Sequence, residues 1–250
     1  MKKPLPKDIE VLQEFRPITL EQMDGVKLMN RTDTKFVFKR ELLEGFLTTL
    51  KAQYRVLDIK GNLISSYKTL YFDTEKFQFF IDHHNGKGNR FKVRIRNYVE
   101  SDLFFLEIKN KYKGRTAKSR IKIPDFELVL EEKSNNYIEE VMGEKVALEA
   151  KLWNGFSRIT LVNDNEKERL TLDLGLTFDW DGVEISYNHI VIAELKQENA
   201  NRESMFYSLM KENGIRPNGM SKYCVGTVAL FPKVKYNNFK EKILLIDKLI

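Results

Sequence analysis

The chain has 250 residues, with 42 Lys and Arg against 36 Asp and Glu and a formal net charge of +6. It is long enough to bury one sizeable core, and its charge excess is modest, so the clustering of cations matters more than their total and a specific nucleic-acid surface is not indicated. The single Cys224 excludes an intrachain disulfide; no secretory apolar region follows Met1-Lys2-Lys3 and no apolar run reaches the ~18 residues a membrane span needs, so a cytoplasmic location is expected, with any membrane association supplied by a partner or a surface patch.

No Pro-, Gly- or Ser-rich stretch and no repeat divides the chain. One domain is therefore expected over 1–250, with its core at about 31–230, weakly structured ends up to about Thr19 and after Phe231, and 231–250 as a C-terminal helical appendage. In chain order, Arg31-Thr32-Asp33-Thr34-Lys35 places charge on every second residue, as a strand would. Arg40 to Tyr54 reads as an amphipathic helix through Leu43, Phe46, Leu47 and Leu50. Tyr67 to Asp73 alternates as a strand, Glu75 to Asp82 fits helix or strand, and Asn85-Gly86-Lys87-Gly88-Asn89 predicts a hairpin connection.

The next three segments share one pattern. Lys92, Arg94 and Arg96 alternate against Phe91, Val93 and Ile95; Glu107, Lys109 and Lys111 against Leu106 and Ile108; Lys118, Arg120 and Lys122 against Ser119, Ile121 and Ile123. Period-2 alternation sends each charged set to one face of a strand. Helical patterns follow at Asn136 to Gly143 and Lys145 to Trp153. Strands resume at Ser157 to Val162, Glu168 to Leu174, Leu176 to Trp180 and His189 to Lys196, with turns at Asn163-Asp164-Asn165 and Asp181-Gly182. Arg202 to Asn213 reads as a helix stopped by Gly214 and Pro217, and a last helix starts at the N-cap candidate Ser221 with Lys222 in its first turn.

Together these elements predict an α+β fold, mainly antiparallel β: a closed barrel of about eight strands with helices packed outside and charge turned inward. A single wet strand face rich in Lys and Arg is ordinary. Five or more such segments are not, because like charges opposed across strands destabilise a sheet, and an extended anion such as a polyphosphate would neutralise them.

At this point the motifs resemble the VTC domain of polyphosphate polymerases, within the triphosphate tunnel metalloenzyme or CYTH superfamily. The pieces, in order, are Arg31-Thr32-Asp33-Thr34-Lys35-Phe36, Tyr71-Phe72-Asp73-Thr74, Val93-Arg94-Ile95-Arg96, Leu106-Glu107-Ile108-Lys109-Asn110-Lys111 and Lys118-Ser119-Arg120, then Leu170-Thr171-Leu172-Asp173, Val191-Ile192-Ala193-Glu194-Leu195-Lys196 and Met220-Ser221-Lys222-Tyr223. What the resemblance implies is a β-tunnel that binds ATP and inorganic polyphosphate with Mn²⁺ or Mg²⁺ and transfers the γ-phosphate to the chain end. It assigns Lys35, Arg94, Arg96, Lys109, Arg169 and Lys222 to the reacting phosphates. Arg31, Lys111, Lys118, Arg120, Arg158, Lys196 and Ser221 would bind phosphate along the chain, Glu194 would hold the metal, and Glu107 is either a second metal ligand or the group that orients Lys109 and Arg94.

Such transfer needs in-line positioning and charge neutralisation, which Arg and Lys supply. The hydrolase branch resembles Glu-x-Glu-x-Lys where this chain has Arg31-x-Asp33-x-Lys35, a cation replacing a carboxylate. That favours transfer to phosphate over transfer to water. A metal-dependent triphosphatase and a non-catalytic polyphosphate-binding module are the rival readings. Outside the chemistry, His83, His84 and His189 read as packing or surface residues, Trp153 and Trp180 as core, Cys224 as a buried thiol, and Asp73 as a turn former rather than a tunnel residue. For Asp173, ion pairing beside Arg169 and metal support stand equal.

Overall fold

The computed structural model describes residues 5–24, 32–113, 115–163 and 165–250. Its strands are β1 (Arg16–Ile18), β2 (Thr32–Lys39), β3 (Arg55–Leu57), β4 (Ser65–Asp73), β5 (Asn89–Tyr98), β6 (Leu103–Tyr112), β7 (Arg115–Ile123), β8 (Glu149–Asn163), β9 (Glu168–Trp180), β10 (Val183–Tyr187) and β11 (Ile190–Gln197). The helices are α1 (Leu20–Asp24), α2 (Leu43–Leu50), α3 (Gln78–His84), α4 (Glu132–Met142), α5 (Met205–Glu212), α6 (Lys222–Leu230) and α7 (Lys240–Lys248).

All eleven strands join one sheet, with the main order β2-β11-β9-β8-β4-β5-β6-β7. β3 pairs with the far end of β8 and carries β1 beside it in parallel, and β10 extends β9 as a hairpin. The closed barrel expected above is not formed: among the described residues β2 and β7 end the path and do not pair with each other. Both end strands present inward cations, Lys35 on one and Lys118, Arg120 and Lys122 on the other, and like charges oppose the closing of that seam.

The sheet nevertheless curls. β6 lies five strands from β11, about 24 Å away in a flat sheet, yet Lys109 on β6 feels the charges of Lys35 on β2 and Glu194 on β11. Helix α6 draws the two sides together, since Ser221 at its N-cap meets Lys92 of β5 and Lys222 meets Asp173 of β9. The result is a trough whose concave face carries the charge.

Two apolar layers back the convex face. Phe36, Phe38, Leu170, Leu172, Val191 and Leu195 pack with α2 and α5, and Leu70, Val93, Ile95, Leu106 and Ile108 pack with Ile138 of α4. On the concave side, α6 fills one end of the trough through Tyr223, Val225 and Gly226 against Tyr71 and Phe178, so this helix is an exception to the outside packing foreseen. A Cβ at Gly226 would meet the Phe178 ring at 2.4 Å, which is why glycine stands there. The opposite end holds a small cluster of Ile18, Leu57, Val162 and Met23.

Several local expectations are corrected. Residues 145–153 are not helical: β8 begins at Glu149 because pairing with β4 overrides the local pattern. Asn85–Asn89 does not join two strands directly but follows α3, which resolves the ambiguous 75–82 segment in its C-terminal part. The first helix is shorter than read, a 3-10 turn followed by α2. The described parts of both ends are structured: Lys7–Glu14 forms a 3-10 helix that buries Ile9 and Leu12, and α7 docks through Ile246 beside Phe239. No helix of the described residues is long and apolar enough to cross a membrane.

Candidate functional site

Strand register turns the alternation into layers. On one side of the trough, Lys35 of β2, Glu194 of β11 and Thr171 of β9 are consecutive partners, and so are Asp33, Lys196 and Arg169. One step further along, Ile192 of β11, Asp173 of β9 and Arg158 of β8 align. On the other side, Tyr71, Arg94, Glu107 and Arg120 form a layer across β4 to β7, followed by Lys92, Lys109 and Lys118 across β5 to β7. Lys111 sits between Arg90 and Thr116 in the next layer, and Arg96 between Thr69 and Phe105 in the preceding one.

Glu194, Asp173 and Glu107 on this face are each tied to cations. Glu194 is 3.3 Å from Lys35 Nζ and accepts a short hydrogen bond from Lys196. Burial would raise its pKa, but Lys196 and Lys35 outweigh that and hold the carboxyl well below the usual range. Asp173 receives Arg158 Nε at 2.5 Å and Nη2 at 2.8 Å and also the Lys222 ammonium. It too is held far down, against burial, by those two cations. The ion pairing foreseen for Asp173 is therefore with Arg158 and Lys222, not with Arg169. Glu107 accepts from Arg94 Nε at 2.8 Å, Arg94 Nη2 at 2.6 Å and the Tyr98 hydroxyl at 3.3 Å, and despite burial its pKa falls to about 2.

The lysine layer is different in kind. Among the described residues no ion pair involves Lys92 or Lys109; Lys92 donates to Ser221 Oγ at 3.0 Å. Desolvation, with Lys118, Lys35 and Lys92 nearby, lowers Lys109 to about 7, and desolvation lowers Lys92 to about 8. Lys196 and Lys222 are also lowered to about 8, chiefly by burial. Arg96 is buried, donates to Thr69 Oγ1 at 3.3 Å and has its pKa lowered by burial and by Arg94.

Lys35, Arg94, Arg96, Lys109, Arg169, Lys222, Lys111, Lys118, Arg120, Arg158, Lys196, Glu194 and Glu107 thus share one face, with Ser221 capping α6 beside them. Arg31 lies outside the described residues. Lys92 was visible in the alternation but absent from the assigned set; its place beside Lys109 needed the register. Tyr71, Tyr98, Tyr67 and Phe156 carry no charge signal, and only the tertiary structure brings them to the cations.

Other residues settle into structural roles. Asp73 accepts from the N–H groups of Thr74, Phe79 and Phe80 at 2.7 to 2.9 Å and from the Tyr223 hydroxyl, capping α3 and tying it to α6. His84 accepts from Asn238 N at 3.2 Å and His189 Nε2 lies 3.3 Å from Ile246 O, so both anchor the C-terminal segment. Cys224 is buried, while Trp153 and Trp180 are half-buried at the edge of the apolar layers.

No group of three or more His, Cys, Asp or Glu side chains that could hold a metal exists among the described residues. Glu194 is ionised and could hold a hard divalent cation only if ligand oxygens and water completed its shell, a donor set that suits Mg²⁺ or Mn²⁺ arriving with a phosphate. Glu107 is held by the Arg94 guanidinium and the Tyr98 hydroxyl, and Glu194 by two lysine ammonium groups, so at either carboxylate a cation would displace those partners.

The sequence matches the model of the VTC domain over residues 30–231. No protein with a curated description matches it. Similar solved structures include a candidate adenylate cyclase from Vibrio parahaemolyticus (12% identity, 79% of this chain and 99% of that one, TM-score 0.47). Another is a candidate adenylate cyclase from Bacillus halodurans (13% identity, 81% and 99%, TM-score 0.46). A third is a candidate adenylyl cyclase from Hippeastrum described as having a dominant triphosphatase activity (14% identity, 80% and 96%, TM-score 0.49). With the family model spanning most of its length and every described charged motif on one concave face, this chain belongs to the VTC domain family.

Proposed function

We propose that this chain is an ATP-dependent polyphosphate polymerase, in which a terminal oxygen of inorganic polyphosphate attacks the γ-phosphorus of ATP and ADP leaves. The observation that carries the reading is the Lys92–Lys109–Lys118 layer facing the Lys35–Glu194 pair across the trough. Aligned cations on one wall and a metal-competent carboxylate on the other suit two phosphate chains brought end to end.

The transferred group passes through a transition state with charge spread over its oxygens, so positioning and neutralisation do most of the catalysis. Arg94 is held by Glu107, and Arg158 and Lys222 by Asp173, so these donors are oriented before substrate arrives. Lys35 and Lys196 flank Glu194 and would shift toward phosphate oxygens when a cation takes its carboxylate. When bound, Mn²⁺ or Mg²⁺ supplies further neutralisation of phosphate oxygens. The depressed pKa values of Glu107, Asp173 and Glu194 support phosphate rather than water as acceptor, since the cations that hold these carboxylates make them weak bases for taking a proton from water.

The test is incubation of the protein with γ-labelled ATP and Mn²⁺, separating long-chain polyphosphate from orthophosphate. Label in long chains with stoichiometric ADP is expected. Label in orthophosphate alone would replace this reading with a triphosphatase, and tight polyphosphate binding without turnover would replace it with a binding module.

A further inference from the structure

Where β8, β4 and β5 adjoin beside α6, three cations from three elements converge on one pair of rings. Tyr67 of β4 and Phe156 of β8 are cross-strand partners whose rings stack at 5.0 Å with planes 12° apart. The Arg96 guanidinium from β5 lies 5.3 Å from the Tyr67 centroid and 5.6 Å from that of Phe156. Arg158 lies 5.3 Å from each, and Lys222 Nζ is 4.4 Å from Phe156.

The backbone is built for this. The β8–β9 register shifts between Gly155 and Ser157, so that Gly175 and Leu176 of β9 oppose Phe156 alone. Gly175 has φ +59, a left-handed conformation that glycine adopts without strain, as the first residue of such a bulge requires. Bulges re-aim side chains, and this one sits opposite the residue that three cations touch. Gly155 next to it lets the strands approach so closely that a Cβ would meet Thr177 Oγ1 at 2.7 Å.

The charge count makes the rings consequential. Asp173 serves Arg158 and Lys222, but among the described residues no carboxylate is within ion-pair distance of Arg96. Asp173 already takes Arg158 Nε, one Nη2 hydrogen and the Lys222 ammonium, so those two cations meet a phosphate with their remaining donors. A ring face attracts a cation without consuming any donor. We propose that the stacked Phe156–Tyr67 pair is a cation platform that sets the spacing of Arg96, Arg158 and Lys222 for successive phosphates of one oligophosphate chain. Phe156 and Tyr67 are positioning residues here, and the inference rests on the reading of the trough as an oligophosphate site.

Calorimetric titration of the whole chain with inorganic tripolyphosphate and with orthophosphate tests it independently of turnover. Phe156→Leu keeps an apolar side chain but loses the ring face, and it should weaken tripolyphosphate binding about 10-fold or more while Phe156→Tyr stays within about 3-fold of the original. Orthophosphate, too short to span the three cations, should bind with little change. Equal tripolyphosphate affinity in the Leu and Tyr variants, or an equal loss for both ligands, would overturn the platform. If Phe156→Leu does not fold, Tyr67→Leu against Tyr67→Phe applies the same test from β4. A protein that binds tripolyphosphate with this ring dependence but makes no polyphosphate would sink the polymerase reading and support the platform; polymerase activity with ring-independent binding would do the reverse.

Discussion

The two walls of the trough hold their cations by different means. On the wall of β2, β11, β9 and β8, carboxylates are built in: Glu194 lies between Lys35 and Lys196, and Asp173 between Arg158 and Lys222. On the wall of β5, β6 and β7, Glu107 serves Arg94, and the next layer is lysine throughout. The first wall pairs its cations with its own carboxylates, although burial still lowers Lys196 and Lys222 to about 8. The second gives Lys92 and Lys109 no ion pair among the described residues, and Lys109, crowded by other lysines, falls furthest, to about 7, a cost that an anion would relieve.

The sharpest way to break the contrast is at Glu194. Glu194→Ala should lower metal-dependent transfer by roughly 10²- to 10³-fold with unchanged circular dichroism, and unaltered turnover would take Glu194 out of the mechanism. Removing Asp173 attacks stability instead. Asp173→Ala strands Arg158 and Lys222 beside each other and should cost about 3 kcal/mol or more, measured by urea unfolding.

The same wall should also be acid-sensitive. Asp173 and Glu194 have folded pKa values depressed below their ordinary 3.8 and 4.5. Their stabilising contribution is present above those ordinary values and is lost as pH falls toward the depressed ones. Stability in the Asp173→Ala variant should therefore fall less steeply between pH 5 and 2 than in the parent, and parallel curves would rule Asp173 out as the titrating group.

The lysine wall predicts a smaller effect with the opposite pH direction. Lys109 is lowered to about 7, so its ammonium is present below that value and lost above it. Tripolyphosphate affinity should drop by up to about tenfold between pH 6.5 and 8.5 relative to Lys109→Arg, whose guanidinium stays charged throughout. Identical pH profiles for the two proteins would show that Lys109 does not titrate in the binding range.

Much of this site was legible beforehand because period-2 alternation is a local property. Lys92, Arg94 and Arg96 share a face whatever β5 pairs with, as do Glu107, Lys109 and Lys111. The Ser221 cap was legible for the same reason, and its Oγ accepts from Cys224 N at 3.4 Å. The failures came where neighbours outweigh local preference. Residues 145–153 look helical, yet Leu152 and Trp153 pair with Tyr71 and Leu70, and sheet pairing prevails.

What the amino-acid sequence determined by itself is the division of each strand into a charged and an apolar face, the excess of cations over acids on the charged one, and the order of motifs that marks the family. The tertiary structure decided which charges meet. Register put three lysines side by side and gave Asp173 to Arg158 and Lys222. Curling carried Lys109 within reach of Lys35 and Glu194, and a bulge at Gly175 set Phe156 under three cations. Other contacts beside the site join residues still further apart, as Lys92 and Ser221 are at 129 positions. Alternation is written within a strand, whereas pairing between distant strands depends on the global minimum of burial and charge, which no local pattern encodes.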